Sequence, residues 1–184
     1  EVGRVLGLGV SGYLGSILEI EAVAFPSKEP GKGLVRFNDT AGSMAKDSVF
    51  NAASVFRAIT GEDLNNYDVH VNVIGGGNID GPSAGVAILT AIISAVKGLP
   101  VPQDIAVTGE ISIRGKVKAV GGLHPKIYGA KQAGVKTVYI PSENWDSISQ
   151  VTESVEVVPI ANVAEFLKVI FQTDIPDLGW RKAT

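Results

Sequence analysis

Apolar residues recur along this chain with two periods, and the switches between them mark out its elements. Residues 4–10 and 16–25 read as two strands joined by a glycine turn around Ser11-Gly12. In the second strand Leu18 and Ile20 alternate with Glu19 and Glu21, which predicts one apolar and one acidic face. A turn-rich basic loop, 26–33, leads into a short strand at 34–37. From Ala41 to Ile59 the spacing lengthens. Val49, Ala52, Ala53 and Phe56 fall on one side of an amphipathic helix that Gly61 stops. An apolar strand, 69–74, a cluster Gly75-Gly76-Gly77 and a helix over 82–97 follow, closed by Gly98 and Pro100.

The second half alternates more regularly. Residues 105–117 predict a hairpin or meander turned at Gly115. Gly121-Gly122 releases a helix over 123–133, with Gly134 as its C-terminal stop. A strand at 136–140, a turn at Pro141, a short helix near 145–148, a strand at 155–158 and a helix at 161–171 complete the pattern, and 176–184 reads as a loose tail. A strand-rich first half and an alternating second half predict an α+β (mixed α/β) fold, a compact single domain of mixed sheets and helices over 1–175.

Bulk composition narrows the function classes. A chain of 184 residues with 45% apolar content and a mean hydropathy of +0.24 buries a real core. A net charge of −3 and a pI near 5.4 argue against a general nucleic-acid or acidic-membrane binder. With no cysteine there is no disulfide frame, thiol nucleophile or cysteine metal site, in keeping with a reducing, cytoplasmic compartment. The longest apolar stretch, Val86 to Val96, is too short to span a bilayer, and no signal-peptide pattern is present. The chain starts at Glu1 rather than Met, which leads us to expect a processed or excised segment.

The hexapeptide Asp80-Gly81-Pro82-Ser83-Ala84-Gly85 carries the most chemistry. Gly81 and Pro82 suit the first positions of a helix, and Ser83 then sits in its first turn between small residues. Backbone N–H groups there, those of Ser83 and Ala84 among them, face an anionic oxygen at the positive end of the helix dipole. A serine so placed is a nucleophile candidate with part of an oxyanion hole beside it; the plainer reading is a helix start with a small capping residue. For a base, the chain offers His70, His124 and Lys126. His70 lies within a strand pattern, where a lone histidine is commonly structural. Lys126 lies near the face shared by Leu123, Ile127 and Ala130, so at least its stem is packed, although a snorkelling surface lysine fits the same pattern. No metal-ligand spacing and no phosphate-loop motif is present. From Ile111 to Lys136 there are six basic residues and no acidic one, which reads as a solvated face or, alternatively, an anion- or RNA-binding patch.

Four blocks, Asp80–Gly85, Thr108-Gly-Glu-Ile-Ser-Ile-Arg-Gly115, Gly121-Gly-Leu-His-Pro-Lys126 and Ala133-Gly-Val-Lys-Thr-Val-Tyr-Ile-Pro141, stand in an order that resembles the proteolytic domain of the Lon protease family. The 43 residues from Ser83 to Lys126 are similar to the spacing in the bacterial enzymes. The resemblance implies an ATP-dependent serine endopeptidase acting on unfolded or damaged proteins, carried C-terminal to an AAA+ ATPase and assembled as a hexamer. It implies Ser83 as nucleophile and Lys126 as general base, Thr108 bonding near the lysine, and Asp80 beside the serine, able to pair with the lysine in inactive arrangements. Glu21 aligns with a strand carboxylate facing the site. No cofactor is implied for this segment; ATP and Mg belong to the ATPase expected upstream. Two departures stand out. Asn72 occupies a position where bacterial members often carry a second histidine, and the loop before Asp80 differs by one residue. The alternative within the same fold is a catalytically silent Lon-like oligomerisation domain of a DNA-repair or competence ATPase, which generally lacks an intact Ser–Lys pair.

Overall fold

Side chains that alternate along the strands of one sheet enter two different cores. The computed structural model describes residues 1–11, 14–38, 43–75, 81–148 and 154–172. Its main sheet has seven strands: β1 (Arg4–Ser11), β2 (Leu14–Pro26), β3 (Val35–Phe37), β4 (Tyr67–Ile74), β5 (Ile105–Val107), and, beyond a separate hairpin of β6 (Glu110–Ile111) with β7 (Val117–Lys118), β8 (Thr137–Pro141) and β9 (Glu156–Ile160). The spatial order is β3-β4-β2-β1-β5-β8-β9. Along β1, Val5 joins one core while Leu6 and Leu8 join the other; along β5, Val107 and Ala106 divide in the same way. This is the period-2 burial of a sheet covered on both faces.

Among the described residues four α-helices cover it. Those on one face are α1 (Ser43–Thr60), α2 (Gly85–Lys97) and α4 (Val163–Phe171), which share the larger core; α3 (Leu123–Gln132) covers the other. Every residue from Gly85 to Ser94 is buried, which explains why α2 is apolar all round rather than striped. The pairs β1–β5, β5–β8 and β8–β9 are parallel, joined through covering elements, whereas β1–β2 and β2–β4 are antiparallel. The mixed α/β expectation is thus met by one mixed sheet, in which the antiparallel pairs β4–β2 and β2–β1 lie between parallel β3–β4 on one side and the parallel run β1-β5-β8-β9 on the other.

Two local expectations are refined, and one element is added. The 105–117 segment does not form a single hairpin: 105–107 joins the main sheet, Thr108-Gly109 breaks away, and only β6 and β7 pair with each other around Gly115, whose φ is +80°. The helix expected over 82–97 begins as a 3-10 turn, Gly81–Ala84, before α2. A 3-10 turn at Leu64–Asn66 carried no periodic signal. The turn at Gly12, most of the glycine cluster, Asp80 and the tail 176–184 lie outside the described residues. The stop at Gly134 takes the form expected of a Schellman motif. Gly134 N–H donates to Lys131 C=O at 3.1 Å and Val135 N–H to Ala130 C=O at 3.1 Å, with Gly134 at φ +80°.

Candidate active site

The carboxyl ends of the parallel strands β1 and β5 form the frame of the site, a position where ligands commonly bind in open α/β sheets. Just past β5, Gly109 holds the hexapeptide on both sides of Ala84. Its N–H donates to Ser83 C=O at 2.9 Å, and its C=O accepts from Val86 N–H at 3.2 Å. Ser83 C=O therefore serves Gly109 rather than the helix, at the 3-10 turn that precedes α2. Two glycines permit the approach. A Cβ on Gly85 would lie 2.9 Å from Ile111 Cγ2, and one on Gly109 would lie 2.6 Å from Val117 Cγ1. Ser83 itself is 9% exposed.

Lys126 is delivered by α3, and here the snorkelling alternative fails: the residue is 1% exposed. It shares the buried face of α3 with Leu123, Ile127, Gly129 and Ala130. The helix rides directly on the backbone of β2. A Cβ on Gly15 would fall 1.7 Å from Pro125 C=O, and one on Gly129 would fall 2.6 Å from the backbone of Gly15. Only a glycine at each position allows this contact, so Gly15 and Gly129 set the height of Lys126 above the sheet. Sequence reasoning passed over both. The available signal was a glycine inside a helix and another inside a strand, each of which marks a close backbone approach.

Among the described residues, two buried side-chain oxygens have no hydrogen-bond partner, Thr108 Oγ1 and Ser16 Oγ. Both belong to this end of the sheet. Thr108 directly follows β5, and Ser16 pairs with Gly9 near the end of β1 and adjoins Gly129 of α3. Leaving a buried hydroxyl unsatisfied costs roughly 1–3 kcal/mol, so such groups call for a reason.

The other described sequence candidates stand among other partners. Glu21 is exposed on β2, accepting from Asn72 Nδ2 at 3.0 Å, in a cavity of about 300 Å³ that it shares with Asn38, His70 and Asn72 but not with Ser83 or Lys126. His70 is exposed, its Nε2 2.7 Å from Asn38 Oδ1; Asn38 in turn donates to Asn72. His124 is exposed, with Nε2 3.0 Å from Ser147 C=O. Asp80 lies outside the described residues. The basic run of 111–136 is divided. Lys126 is buried, and Lys118 binds Glu143 at 3.0 Å, which together with the Ala119 N–H holds the Glu143 carboxyl below its usual pKa. Among the described residues no cluster of three or more His, Cys, Asp or Glu could hold a metal ion, and no helix is long and apolar enough to cross a membrane.

Residues 1–173 match the family model of the Lon protease (S16) C-terminal proteolytic domain. The chain belongs to this family. It is 38% identical over 177 residues to the archaeal Lon protease of Archaeoglobus fulgidus, covering 94% of this chain and 28% of that protein. It is 37% identical over 174 residues to the archaeal Lon protease of Pyrococcus abyssi, covering 92% and 17%. Lon protease 2 of Bacillus subtilis is 39% identical over 183 residues, covering 92% and 33%. The Lon-type chain described here therefore spans a third or less of these relatives. Their protease names favour the peptidase over the silent-domain alternative.

Proposed function

We propose that this chain is the serine endopeptidase domain of an ATP-dependent Lon-type protease, cleaving unfolded or damaged proteins by a Ser83–Lys126 dyad. The observation that carries the reading is a fully buried lysine on α3 in a family of peptidases. In this mechanism Lys126 Nζ, as a neutral amine, takes the proton of Ser83 Oγ as that oxygen attacks the scissile carbonyl carbon. Burial disfavours the ammonium form and so supports a neutral base. The backbone N–H groups of Ser83 and Ala84 stabilise the tetrahedral oxyanion. Collapse of that intermediate breaks the C–N bond, with Lys126 returning the proton to the leaving amine, and water then hydrolyses the acyl-serine by the same route. The unsatisfied Thr108 hydroxyl supports a role in orienting the lysine amine. Asp80, from its place in the hexapeptide, pairs with the lysine in resting arrangements. Glu21, exposed on β2 and bonded to Asn72, takes a supporting rather than a chemical part.

The size of the relatives supports a longer natural polypeptide, in which an upstream AAA+ ATPase binds ATP and Mg and feeds substrate to a hexameric ring. Within it the proteolytic domain runs to about residue 175, with 176–184 as a tail, and the absence of cysteine supports a cytoplasmic setting. The test is labelling by a serine-directed covalent inhibitor followed by peptide mapping. An adduct on Ser83 is expected, and labelling elsewhere with Ser83 unmodified would refute the dyad.

A further inference from the structure

One cavity among the described residues has neither Ser83 nor Lys126 on its lining. It has a volume of about 800 Å³ and lies between β3 and α1, walled by Val35, Phe37, Val49, Phe50, Ala53 and Leu64, with Arg36 and Asp63 also on its lining. Phe50 is 75% exposed, an unusual position for a phenylalanine unless something covers it. Alongside runs an edge of the sheet, because among the described residues β3 pairs with β4 and with no other strand. The bond from Val69 N–H to Leu34 C=O fixes the phase of the parallel ladder. Arg36 then turns both backbone groups toward β4, and Val35 and Phe37 turn theirs outward. Among the described residues no backbone group meets that outward edge.

We propose that the β3 edge and the cavity beside it hold an extended segment of polypeptide substrate, added as an outer strand with alternate apolar side chains seated under α1. This rests on the peptidase reading above. The occupant follows from three features. A row of unpaired N–H and C=O groups is satisfied by another extended backbone, and period-2 side chains then fall into one pocket. The lining is chiefly apolar, with one cation and one anion at its margin, which suits apolar segments of either net charge. The contact is also small. Twelve described residues line the cavity, fewer than the roughly 20–30 a side of a stable protein–protein interface, which suits a transiently held peptide. The α1 wall also packs against the 81–84 turn, so a segment held here enters beside the element that carries Ser83.

Two variants test the proposal without touching the dyad. Val35→Pro removes an outward N–H that β4 does not use, and Ser54→Trp fills the cavity from an exposed position on its lining. Each is compared with the parent in the full-length protein, with folding checked by circular dichroism. The measurements are anisotropy of a fluorescein-labelled nonapeptide with leucine at alternate positions, and the KM for an unfolded protein and for a short fluorogenic peptide. The expected result is nonapeptide binding weakened about tenfold or more and KM raised for the unfolded protein, with short-peptide cleavage unchanged. Unaltered binding and KM in a folded Ser54→Trp protein would overturn the proposal whatever Val35→Pro does. Altered sedimentation with unaltered nonapeptide binding would overturn it in favour of a second copy as occupant. Loss of short-peptide cleavage in the unsubstituted protein would instead count against the peptidase reading.

Discussion

Gly109 accepts from Val86 and donates to Ser83, at 3.2 and 2.9 Å, so one residue after β5 clamps the turn that presents the serine. The clamp leaves no room for a side chain: a Cβ on Gly109 would stand 2.6 Å from Val117 Cγ1 and 3.1 Å from Val86 Cγ2. Gly109→Ala is therefore expected to cost about 1–3 kcal/mol of stability by overpacking. It should also lower cleavage by roughly 10²-fold, since a displacement near 1 Å is enough to misplace a nucleophile. Urea denaturation and peptide kinetics at a temperature where the variant stays folded separate the two effects.

Ser83→Ala should remove peptide cleavage by about 10⁴-fold or more and leave the urea midpoint close to that of the parent, because the turn is already built of small residues. Retained turnover near the parent rate would sink the nucleophile assignment.

Thr108 is a sharper case. Its side chain is fully buried, and its hydroxyl has no hydrogen-bond partner among the described residues. A group retained for stability loses stability when replaced, but an unsatisfied buried hydroxyl does the reverse. Thr108→Val is expected to leave stability unchanged or raise it by about 1 kcal/mol while peptide kcat falls. A clear loss of stability with unchanged kcat would make Thr108 a structural residue.

Away from the site, one hydrogen bond sets a pH response. Tyr67 Oη donates to Glu62 Oε2 at 2.6 Å, and Lys97 Nζ lies 3.3 Å from Glu62 Oε1. The bond to Glu62, with burial, raises the Tyr67 phenol to about 12, and the Tyr67 bond ahead of the Lys97 charge lowers the Glu62 carboxyl. A raised tyrosine contributes stability that is complete below its unfolded value near 10 and is lost as pH climbs toward 12. A lowered carboxyl contributes stability above its unfolded value that is lost as pH falls through the folded one. Tyr67→Phe should cost about 1 kcal/mol near neutral pH and flatten the decline above pH 10, read from urea midpoints across the range.

The sequence reveals most where one residue type serves one purpose. The strand-rich first half, the alternating second half and the Gly134 stop are visible because periodicity and a left-handed glycine are local properties. Lys126 was visible as packed but not as buried, since Leu123, Ile127 and Ala130 reveal a face of α3 and not what that face meets. What it meets is the core of Leu6, Leu8, Ala106 and Val138, with the α3 backbone set down on Gly15, and no local pattern encodes those contacts. The division of 105–117 between two sheets was hidden for a related reason. Ile105–Val107 reads as a strand in either arrangement, and only its pairing with β1 and β8 decides. Glu21 shows the converse. Its alternation with Ile20 placed it with Glu19 on the acidic face of β2, but strand position alone could not say that Asn72 and His70 would be its company.

The last prediction concerns the base. If Lys126 acts as a neutral amine, cleavage should rise with pH as the amine deprotonates, with an apparent pKa well below the roughly 10.4 of a free lysine. Lys126→Arg should then be as inactive as Lys126→Ala, because a guanidinium keeps its charge and cannot accept the serine proton. Lys126→His should retain at most a small residual activity, since imidazole is a base near neutral pH but reaches less far from the backbone than a lysine amine. The burial of Lys126 makes the fold a concern for all three variants, because each leaves a cavity or a mismatched group where a 1% exposed side chain stood. Circular dichroism and urea midpoints therefore accompany fluorogenic-peptide kinetics from about pH 6 to 10. The arginine variant is decisive: a folded Lys126→Arg protein with substantial cleavage would reduce Lys126 to a source of positive charge. The proton acceptor would then have to be another group, and neither His70, bonded to Asn38, nor His124, bonded to Ser147, stands on the frame that holds Ser83.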